Sequence, residues 1–286
     1  MRTVTTRAEL EQSLTQLPRP IALVPTMGAL HAGHAALISA ARRTAATVVV
    51  SIFVNPRQFG SANDVARYPR TLEADQQRAE AAGAHLLFVP DVDDVYPPNE
   101  LVANVDPGPL ARRLEGASRP GHFAGVATVV SRLFDLVHPA HAYFGEKDAQ
   151  QVRVVEWLTA QRADQIAIHR VVTVRDSDGL ALSSRNQMLS AAGRAAAART
   201  IPVALSLIAE AYASGISRVS MLRALAERVI AAEPSLSLDY LDFAESATLA
   251  PLAEGAQIGD AGSDEVLISL AAVVNGVRLI DAITLP

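Results

Sequence analysis

Short apolar segments recur along the first part of the chain, with longer segments of helical periodicity between them. They lie at 21–24, 48–54, 86–89 and 168–174. Their residues are apolar continuously rather than at every second position, a pattern typical of strands buried on both faces. Such strands, separated by helices, predict an α/β fold in which a parallel sheet is covered by helices on both faces.

Helical periodicity is clearest at 126–137, where apolar residues recur at spacings of three and four. The segment 72–82 is also predicted to be helical, and Gly83 suits the end of that helix. The segment 2–17 mixes charged and amide residues with apolar ones. We therefore predict an amphipathic opening helix there, rather than a secretory signal.

The texture of the sequence changes after Val174, where a polar turn occupies 175–179. Beyond it, the pattern predicts Ala-rich helices at 191–213 and 222–232, strands at 238–244 and 266–283, and an exposed Gly-rich loop at 255–262. The sequence thus predicts a first domain over 1–174 and a smaller α+β domain over 175–286.

Composition excludes several classes of function. The net charge of the 286 residues is −5 and the Lys and Arg residues are scattered, so no broad basic surface is available for nucleic acid or an anionic membrane. The chain has no cysteine, which excludes disulfides, thiolate nucleophiles and thiolate metal ligands. No apolar run approaches the ~18 residues of a membrane span, so a cytoplasmic protein is expected.

The sequence PTMGALHAGH occupies 25–34, directly after the first predicted strand and before a helical segment. A turn from a strand into a helix presents backbone N–H groups and the positive end of the helix dipole, which together bind anions. Gly28 and Gly33 allow a phosphate to approach the backbone. His31 and His34 add two donors. The alternative to phosphate binding is that both histidines are ordinary surface or capping residues. A zinc site is ranked below phosphate binding because no third ligand is evident nearby.

The sequence FGEKDAQQ, at 144–151, follows another apolar segment. A glycine at a strand end, followed by Lys147 and Asp148, suits a nucleotide: the ammonium binds phosphates and the carboxylate accepts from ribose hydroxyls. An ordinary helix start with an acidic first turn explains the same residues equally well.

Two further segments have weaker signals. LSSRN, at 182–186, places hydroxyls and a guanidinium where they can close over a triphosphate; a solvated loop is the alternative. NPRQFG, at 55–60, places uncharged amides at the carboxyl end of a predicted parallel strand, where open α/β sheets bind small substrates. A simple turn at Pro56 is the alternative there.

Taken together and in this order, PTMGALHxGH, NPxQFG, FGEKDxQQ and SSRN resemble the pantothenate synthetase family. The motif resemblance runs from the first residues to about Asn186. It implies a Rossmann-like first domain, a C-terminal domain that acts as a lid, and a homodimer. It also implies two reactions: pantoate attacks the α-phosphorus of Mg-ATP to give pantoyl adenylate and pyrophosphate, and β-alanine then attacks the acyl carbon and releases AMP.

The resemblance also implies roles for individual residues. The catalytic residues are His31, His34, Lys147 and Arg185. The ATP-binding residues are Met27, Gly28, Ala29, Leu30, His31, Ala32, Gly33, His34, Gly145, Glu146, Lys147, Asp148, Val174, Leu182, Ser183, Ser184 and Arg185. The pantoate-binding residues are Met27, Asn55, Gln58 and Gln151. Within these sets His34 is the proton donor, and Lys147 lies on the α-phosphate. No metal ligand and no permanently bound cofactor are expected.

Two departures from the family pattern concern the pocket's shape: Ala149 stands where an aromatic residue is usual, and Leu182 where Met is common. A nucleotidyltransferase acting on a phosphorylated acceptor is the nearest alternative function. The uncharged Gln58 and Gln151 argue against it, because a phosphorylated acceptor requires Arg or Lys. A regulatory protein that binds a nucleotide without turnover is the second alternative.

Overall fold

The computed structural model describes residues 1–259 and 265–286. The described chain divides into two compact units. The first consists of Met1–Arg112, Arg119–Glu146 and Gln151–Val172, and the second of Arg113–Ser118, Lys147–Gln150 and Thr173–Pro286.

The first unit is built around a six-stranded sheet in which every pairing is parallel. Its strands are β1 Arg2–Val4, β2 Ile21–Thr26, β3 Thr47–Ile52, β4 Leu86–Phe88, β5 His141–Gly145 and β6 Ala167–Val171, in the order β1-β4-β3-β2-β5-β6. Its helices are α1 Arg7–Leu14, α2 Ala32–Arg42, α3 Ala62–Arg67, α4 Leu72–Ala81, α5 Val92–Val95 and α7 His122–Val137. The short helix α6, Glu115–Ser118, precedes α7 in the chain but belongs to the second unit. Helix α8, Ala149–Ala160, begins in the second unit and continues in the first.

Successive residues of the central strands pack on opposite faces of this sheet. Leu23 and Val49 belong to a core with α1 and α7, whereas Val24 and Val50 belong to a second core with α2. Because helices cover both faces of the sheet, neither face of these strands is exposed to solvent, which explains their continuous apolar sequence. The structure confirms the predicted α/β class and its parallel sheet.

The predicted opening helix was wrong at its start. Arg2–Val4 forms β1, which pairs with β4, and α1 begins only at Arg7. Thr6 caps α1: its hydroxyl accepts from the Glu9 N–H at 3.2 Å, and the Glu9 carboxylate accepts from the Thr6 N–H at 3.1 Å. This capping box separates strand from helix, and a three-residue strand is too short to show a period of its own.

The second unit contains α9 Ala191–Ala213, α10 Val219–Ala231 and a three-stranded antiparallel sheet. The strands of this sheet are β7 Leu236–Glu245, β8 Val266–Val274 and β9 Val277–Leu285. The segment 266–283 is therefore two strands, because Asn275 and Gly276 adopt positive φ values of 49° and 81° and form a tight hairpin turn. Positions 260–262 of the predicted Gly-rich loop lie outside the described residues.

Within 1–259 and 265–286, none of the helices combines the length and the apolar character that crossing a lipid bilayer requires.

Candidate active site

Three neighbouring strands of the first unit end beside one another at the edge where the predicted site residues follow. β2 lies between β3 and β5, and all three run in the same direction. The turn at 27–34 follows β2, Asn55 and Gln58 follow β3, and Gly145 ends β5. The strand order reverses around this point, which is where open α/β sheets bind their ligands.

The turn after β2 is held by a buried carboxylate. Gly28 and Ala29 have positive φ values of 87° and 49°. The Ala29 N–H donates to Asp75 Oδ2 at 2.9 Å, and the Leu30 N–H donates to Asp75 Oδ1 at 2.7 Å. These two N–H groups thus have a protein acceptor, whereas the anion donors predicted from the sequence are the N–H groups at the start of the following helix, α2. The imidazoles of His31 and His34 are the side-chain donors predicted for this turn.

His31 and His34 form a reciprocal cap at the start of α2. The Gly33 N–H donates to His31 Nδ1 at 3.1 Å, and the His31 N–H donates to His34 Nδ1 at 3.2 Å. The two ring centroids lie 4.1 Å apart. Since each Nδ1 accepts a hydrogen bond, the neutral form of each ring carries its proton on Nε2. Both residues are half-buried, and both rings act as Nε2–H donors in this tautomer.

The orientation of the Gln58 amide is fixed by Asn55. The Arg57 N–H donates to Asn55 Oδ1 at 3.2 Å, which identifies the oxygen, so that Asn55 Nδ2 donates to Gln58 Oε1 at 3.0 Å. Gln58 Nε2 therefore lies on the other side of its amide, 3.1 Å from Met27 Sδ. This contact joins the segment after β3 to the turn after β2 and presents an amide donor there.

Asn55 itself is fully engaged by the protein. In addition to the contacts above, its Oδ1 accepts from the Tyr96 hydroxyl at 2.9 Å, and its Nδ2 donates to the Gly125 carbonyl at 3.1 Å. Burial raises the pKa of Tyr96, so its hydroxyl stays protonated and continues to donate. Two donors and two acceptor positions are thus used, which fits a role in orienting Gln58.

The backbone of Gln58 is held as firmly as its side chain. Its carbonyl accepts from His122 Nδ1 at 2.8 Å and from Arg119 Nη2 at 3.2 Å. Helix α7 approaches so closely that a Cβ added at Gly125 would lie 2.7 Å from the Gln58 nitrogen and closer still to the Arg57 carbonyl. A glycine is required at this crossing.

We expect Gly125→Ala to displace the segment that carries Gln58. Overpacking of this kind costs about 1–3 kcal/mol, and the KM for the acid substrate should rise together with a fall in melting temperature. Gly255→Ala is the matched control, because Gly255 has nothing within 4 Å of an added Cβ. An unchanged KM in a Gly125→Ala protein would contradict this interpretation.

The remaining predicted residues of the first unit follow β5. Gly145 and Gln151 are half-buried, and Glu146 is exposed. Gln151 lies in the first turn of α8. Of the residues after β2, Ala32 is exposed and Leu30 is buried in the core.

Lys147 and Asp148 belong to the second unit and lie in a 3₁₀ turn, Glu146–Asp148, directly after β5. Lys147 Nζ lies 3.5 Å from Asp148 Oδ2, with the two side chains 16% and 39% exposed. A contact this long, with its carboxylate 39% exposed, contributes little stability. Lys147 is also the single lysine among the 25 Lys and Arg residues of the chain, so every other cationic position uses Arg.

Ser183, Ser184 and Arg185 lie at a second 3₁₀ turn, Ser184–Met188, with Ser183 as its cap. The Arg185 N–H donates to Ser183 Oγ at 3.3 Å. The segment before this turn folds back on itself, since the Leu182 N–H donates to the Val174 carbonyl at 3.0 Å. Val174 and Leu182, both predicted to line the ATP site, are therefore neighbours in the structure.

The loop between Val174 and Leu182 is anchored by a buried ion pair. Arg175 donates to Asp281 of β9 through Nη1 at 2.6 Å and through Nη2 at 3.0 Å, and Arg175 Nη1 also donates to the Gly179 carbonyl. Asp281 is 1% exposed. This pair fixes the loop that leads into Ser183.

We expect Asp281→Asn to lower the free energy of unfolding by about 3 kcal/mol, the lower end for a buried pair, because Arg175 remains 30% exposed. Urea denaturation measures this. Asp176→Asn, which removes one carboxylate from the exposed pair with Arg194, is the control and should cost less than ~1 kcal/mol. Equal losses in the two variants would contradict the anchoring role.

Among the residues that the structure describes, no group of three or more His, Cys, Asp or Glu side chains is arranged to hold a metal ion.

Sequence reasoning did not find Asp75. The signal available was a carboxylate on the buried face of a helix, because Asp75 and Ala79 are the buried residues of α4. The two backbone N–H groups that donate to Asp75 lie 46 and 45 positions away along the chain, and no local pattern connects them.

Comparisons with known proteins show the family of the chain and solved structures of similar fold. The model of the family "Pantoate-beta-alanine ligase" matches residues 2–284. A pantothenate synthetase from Agrobacterium fabrum is 46% identical over 98% of this chain and 94% of its own length. The pantothenate synthetase structure from Thermus thermophilus superposes with a TM-score of 0.89 at 44% identity, covering 99% of each chain. The pantoate-β-alanine ligase of Francisella tularensis, complexed with β-γ ATP and β-alanine, has a TM-score of 0.79 at 32% identity and covers 99% of this chain and 97% of its own.

Proposed function

Because this chain belongs to the pantoate–β-alanine ligase family, we propose that it condenses pantoate with β-alanine to form pantothenate, converting ATP to AMP and pyrophosphate. The contact between Gln58 and Met27 is the observation that supports this most directly. It places an oriented, uncharged amide beside the turn that carries two imidazole donors, which suits a hydroxylated acid next to a phosphate chain.

In the first step a pantoate carboxylate oxygen attacks the α-phosphorus of ATP, which enters as its magnesium complex. The bond from that phosphorus to the bridging oxygen breaks, and pyrophosphate leaves. Gln58 and Gln151 hold the hydroxyls and the carboxylate of pantoate, with Met27 packed beside them. Asn55 contributes by orienting the Gln58 amide, to whose oxygen it donates a hydrogen bond. Holding the two reactants in line supplies a large part of the rate in such displacements.

His31 and His34 bind the phosphates that depart. Each presents Nε2–H in its neutral tautomer, as its Nδ1 accepts a backbone hydrogen bond. Negative charge grows on the leaving pyrophosphate, so donors placed there stabilise the transition state more than the bound substrate. In this tautomer His34 donates a hydrogen bond from Nε2–H to the leaving oxygen, because a neutral imidazole does not give up its proton to pyrophosphate.

Lys147 binds the α-phosphate and its bridging oxygens, and Ser183, Ser184 and Arg185 bind the rest of the triphosphate. Gly145 and Asp148 hold the ribose, and Val174 lies beside the adenine. In the second step the neutral amine of β-alanine attacks the acyl carbon. The bond from that carbon to the phosphate oxygen breaks, AMP leaves, and the nitrogen loses one proton to solvent. The α-phosphate remains in place throughout, so Lys147 serves both steps.

Measurement of AMP in the presence of ATP and pantoate, with and without β-alanine, tests the proposal. Sustained AMP formation that requires both substrates is the expected result. Pyrophosphate release driven only by a phosphorylated acceptor would instead identify a nucleotidyltransferase, and tight ATP binding without turnover would identify a regulatory protein. The homodimer and the cytoplasmic location stay predictions; light scattering of the purified protein tests the first.

A further inference from the structure

Side chains of helix α4 hydrogen-bond to the backbone of the turn after β2. Asp75, which is 1% exposed, accepts from two successive backbone N–H groups, those of Ala29 and Leu30, and from the Thr71 hydroxyl at 3.2 Å. Arg78, one turn further along α4, donates to the Leu30 carbonyl. Both peptide groups of Leu30 are therefore fixed by the same helix, immediately before the histidine cap.

The carboxylate is an unusual choice for this position. Burying a charge is unfavourable unless it is well hydrogen-bonded, and all of the hydrogen bonds that Asp75 receives from described residues come from neutral donors. An apolar residue would pack on the buried face of α4 without that penalty. What the carboxylate offers instead is a pair of acceptors that matches two successive N–H groups.

Those two N–H groups belong to a turn that contains an unfavourable backbone conformation. Ala29 has a φ of 49°, a left-handed conformation that residues with a Cβ seldom adopt. Such conformations persist where the surroundings over-determine them, and they cluster at functional sites. Gly28, beside it, has no room for a side chain, because an added Cβ would lie 3.2 Å from Asp75 Oδ2.

We propose that Asp75 is a positioning residue for formation of the acyl adenylate. It fixes Ala29 and Leu30, and through them the entry into α2, so that the Nε2–H groups of His31 and His34 are aimed at the departing phosphates before ATP binds. The inference rests on the role proposed above for the two histidines. It assigns to Asp75 no contact with substrate.

The test separates the two half-reactions. Asp75→Asn keeps the shape of the side chain but turns one acceptor into an NH₂ group that faces a backbone N–H, so the turn must shift. A misplacement of about 1 Å at a reacting group slows a reaction by roughly 100-fold. We expect pyrophosphate release from ATP and pantoate to fall by about that factor. Reaction of supplied pantoyl adenylate with β-alanine, which does not use the departing phosphates, should stay within about twofold of the parent rate.

Glu73→Gln is the matched control, because it makes the same chemical change at an exposed carboxylate of the same helix, and both of its half-reactions should be unchanged. Thr71→Val removes a single hydrogen bond to Asp75 and should slow pyrophosphate release by about fivefold, the net value of one such bond. This milder variant keeps the inference testable if Asp75→Asn does not fold.

The outcomes are distinct. If Asp75→Asn loses both half-reactions in proportion to a fall in melting temperature, Asp75 is structural only and the inference is overturned. It is equally overturned if neither Asp75→Asn nor Thr71→Val slows pyrophosphate release while His34→Asn does. Absence of pantothenate formation by the unaltered protein would instead refute the proposed function, independently of Asp75.

Discussion

Replacing Lys147 by methionine is expected to lower the rates of both half-reactions by about 10²–10³-fold, the usual effect of removing one donor from developing charge. Methionine keeps the length of the side chain and removes the ammonium group. The salt contact with Asp148 is long and partly exposed, so the melting temperature should change little. The measurements are single-turnover rates of adenylate formation and of adenylate consumption, with ATP affinity determined separately.

Lys147→Arg is the companion variant, because it retains the charge but presents a broad planar fork instead of a compact ammonium. Its rates should lie between those of the parent and of Lys147→Met. A Lys147→Met protein with weaker ATP binding but an unchanged rate at saturation would mean that Lys147 binds the substrate and the transition state equally, contrary to the role proposed here.

The sequence offers a second way to examine this group. As Lys147 is the only lysine of the chain, reductive methylation modifies one ε-amino group and the α-amino group of Met1, which is paired with Glu80 at 2.6 Å. We expect ATP to protect Lys147 from the reagent and to leave the modification of Met1 unaffected. Peptide mass spectrometry distinguishes the two sites. Equal protection of both amines would point to a general effect of ATP on the protein.

The parallel sheet could be predicted from the sequence because burial on both faces leaves a direct trace, a run of apolar residues without alternation. β3 and β4 were found within two residues of their observed ends. β1 was missed since its three residues are too few to show a period, and its pairing with β4 joins positions about 84 apart. Chain-local patterns carry no information about such a partner.

The candidate site could be predicted for a related reason. The residues predicted to contact a ligand lie in short motifs at strand ends, so PTMGALHAGH and FGEKDAQQ each appear whole in the sequence. The residues that hold those motifs in place do not. Asp75 reaches the turn from another helix, and Asp281 reaches Arg175 across 106 positions. Asn55 illustrates the same limit: its amide looked available in the sequence, and only the structure shows how completely the protein engages it.

The second large effect is expected at His34, where the two ring nitrogens have different partners and can be removed one at a time. His34→Asn keeps an acceptor near the position of Nδ1, which receives the His31 N–H, and removes the group at Nε2. His34→Gln does the reverse: its amide reaches the position of Nε2 but gives up the Nδ1 acceptor. Comparing the two variants therefore separates the capping role of Nδ1 at the start of α2 from the proposed catalytic role of Nε2.

If His34 acts on the departing phosphates, His34→Asn should slow pyrophosphate release by about 10²–10³-fold at a nearly unchanged melting temperature, and should leave the reaction of supplied pantoyl adenylate with β-alanine intact. His34→Gln should recover part of the lost rate despite a lower melting temperature, because it loses the hydrogen bond of the cap, which is typically worth ~1 kcal/mol. The opposite order, with the amide of Gln inactive and that of Asn active, would show that His34 supports α2 and that the donor to the departing phosphates lies elsewhere.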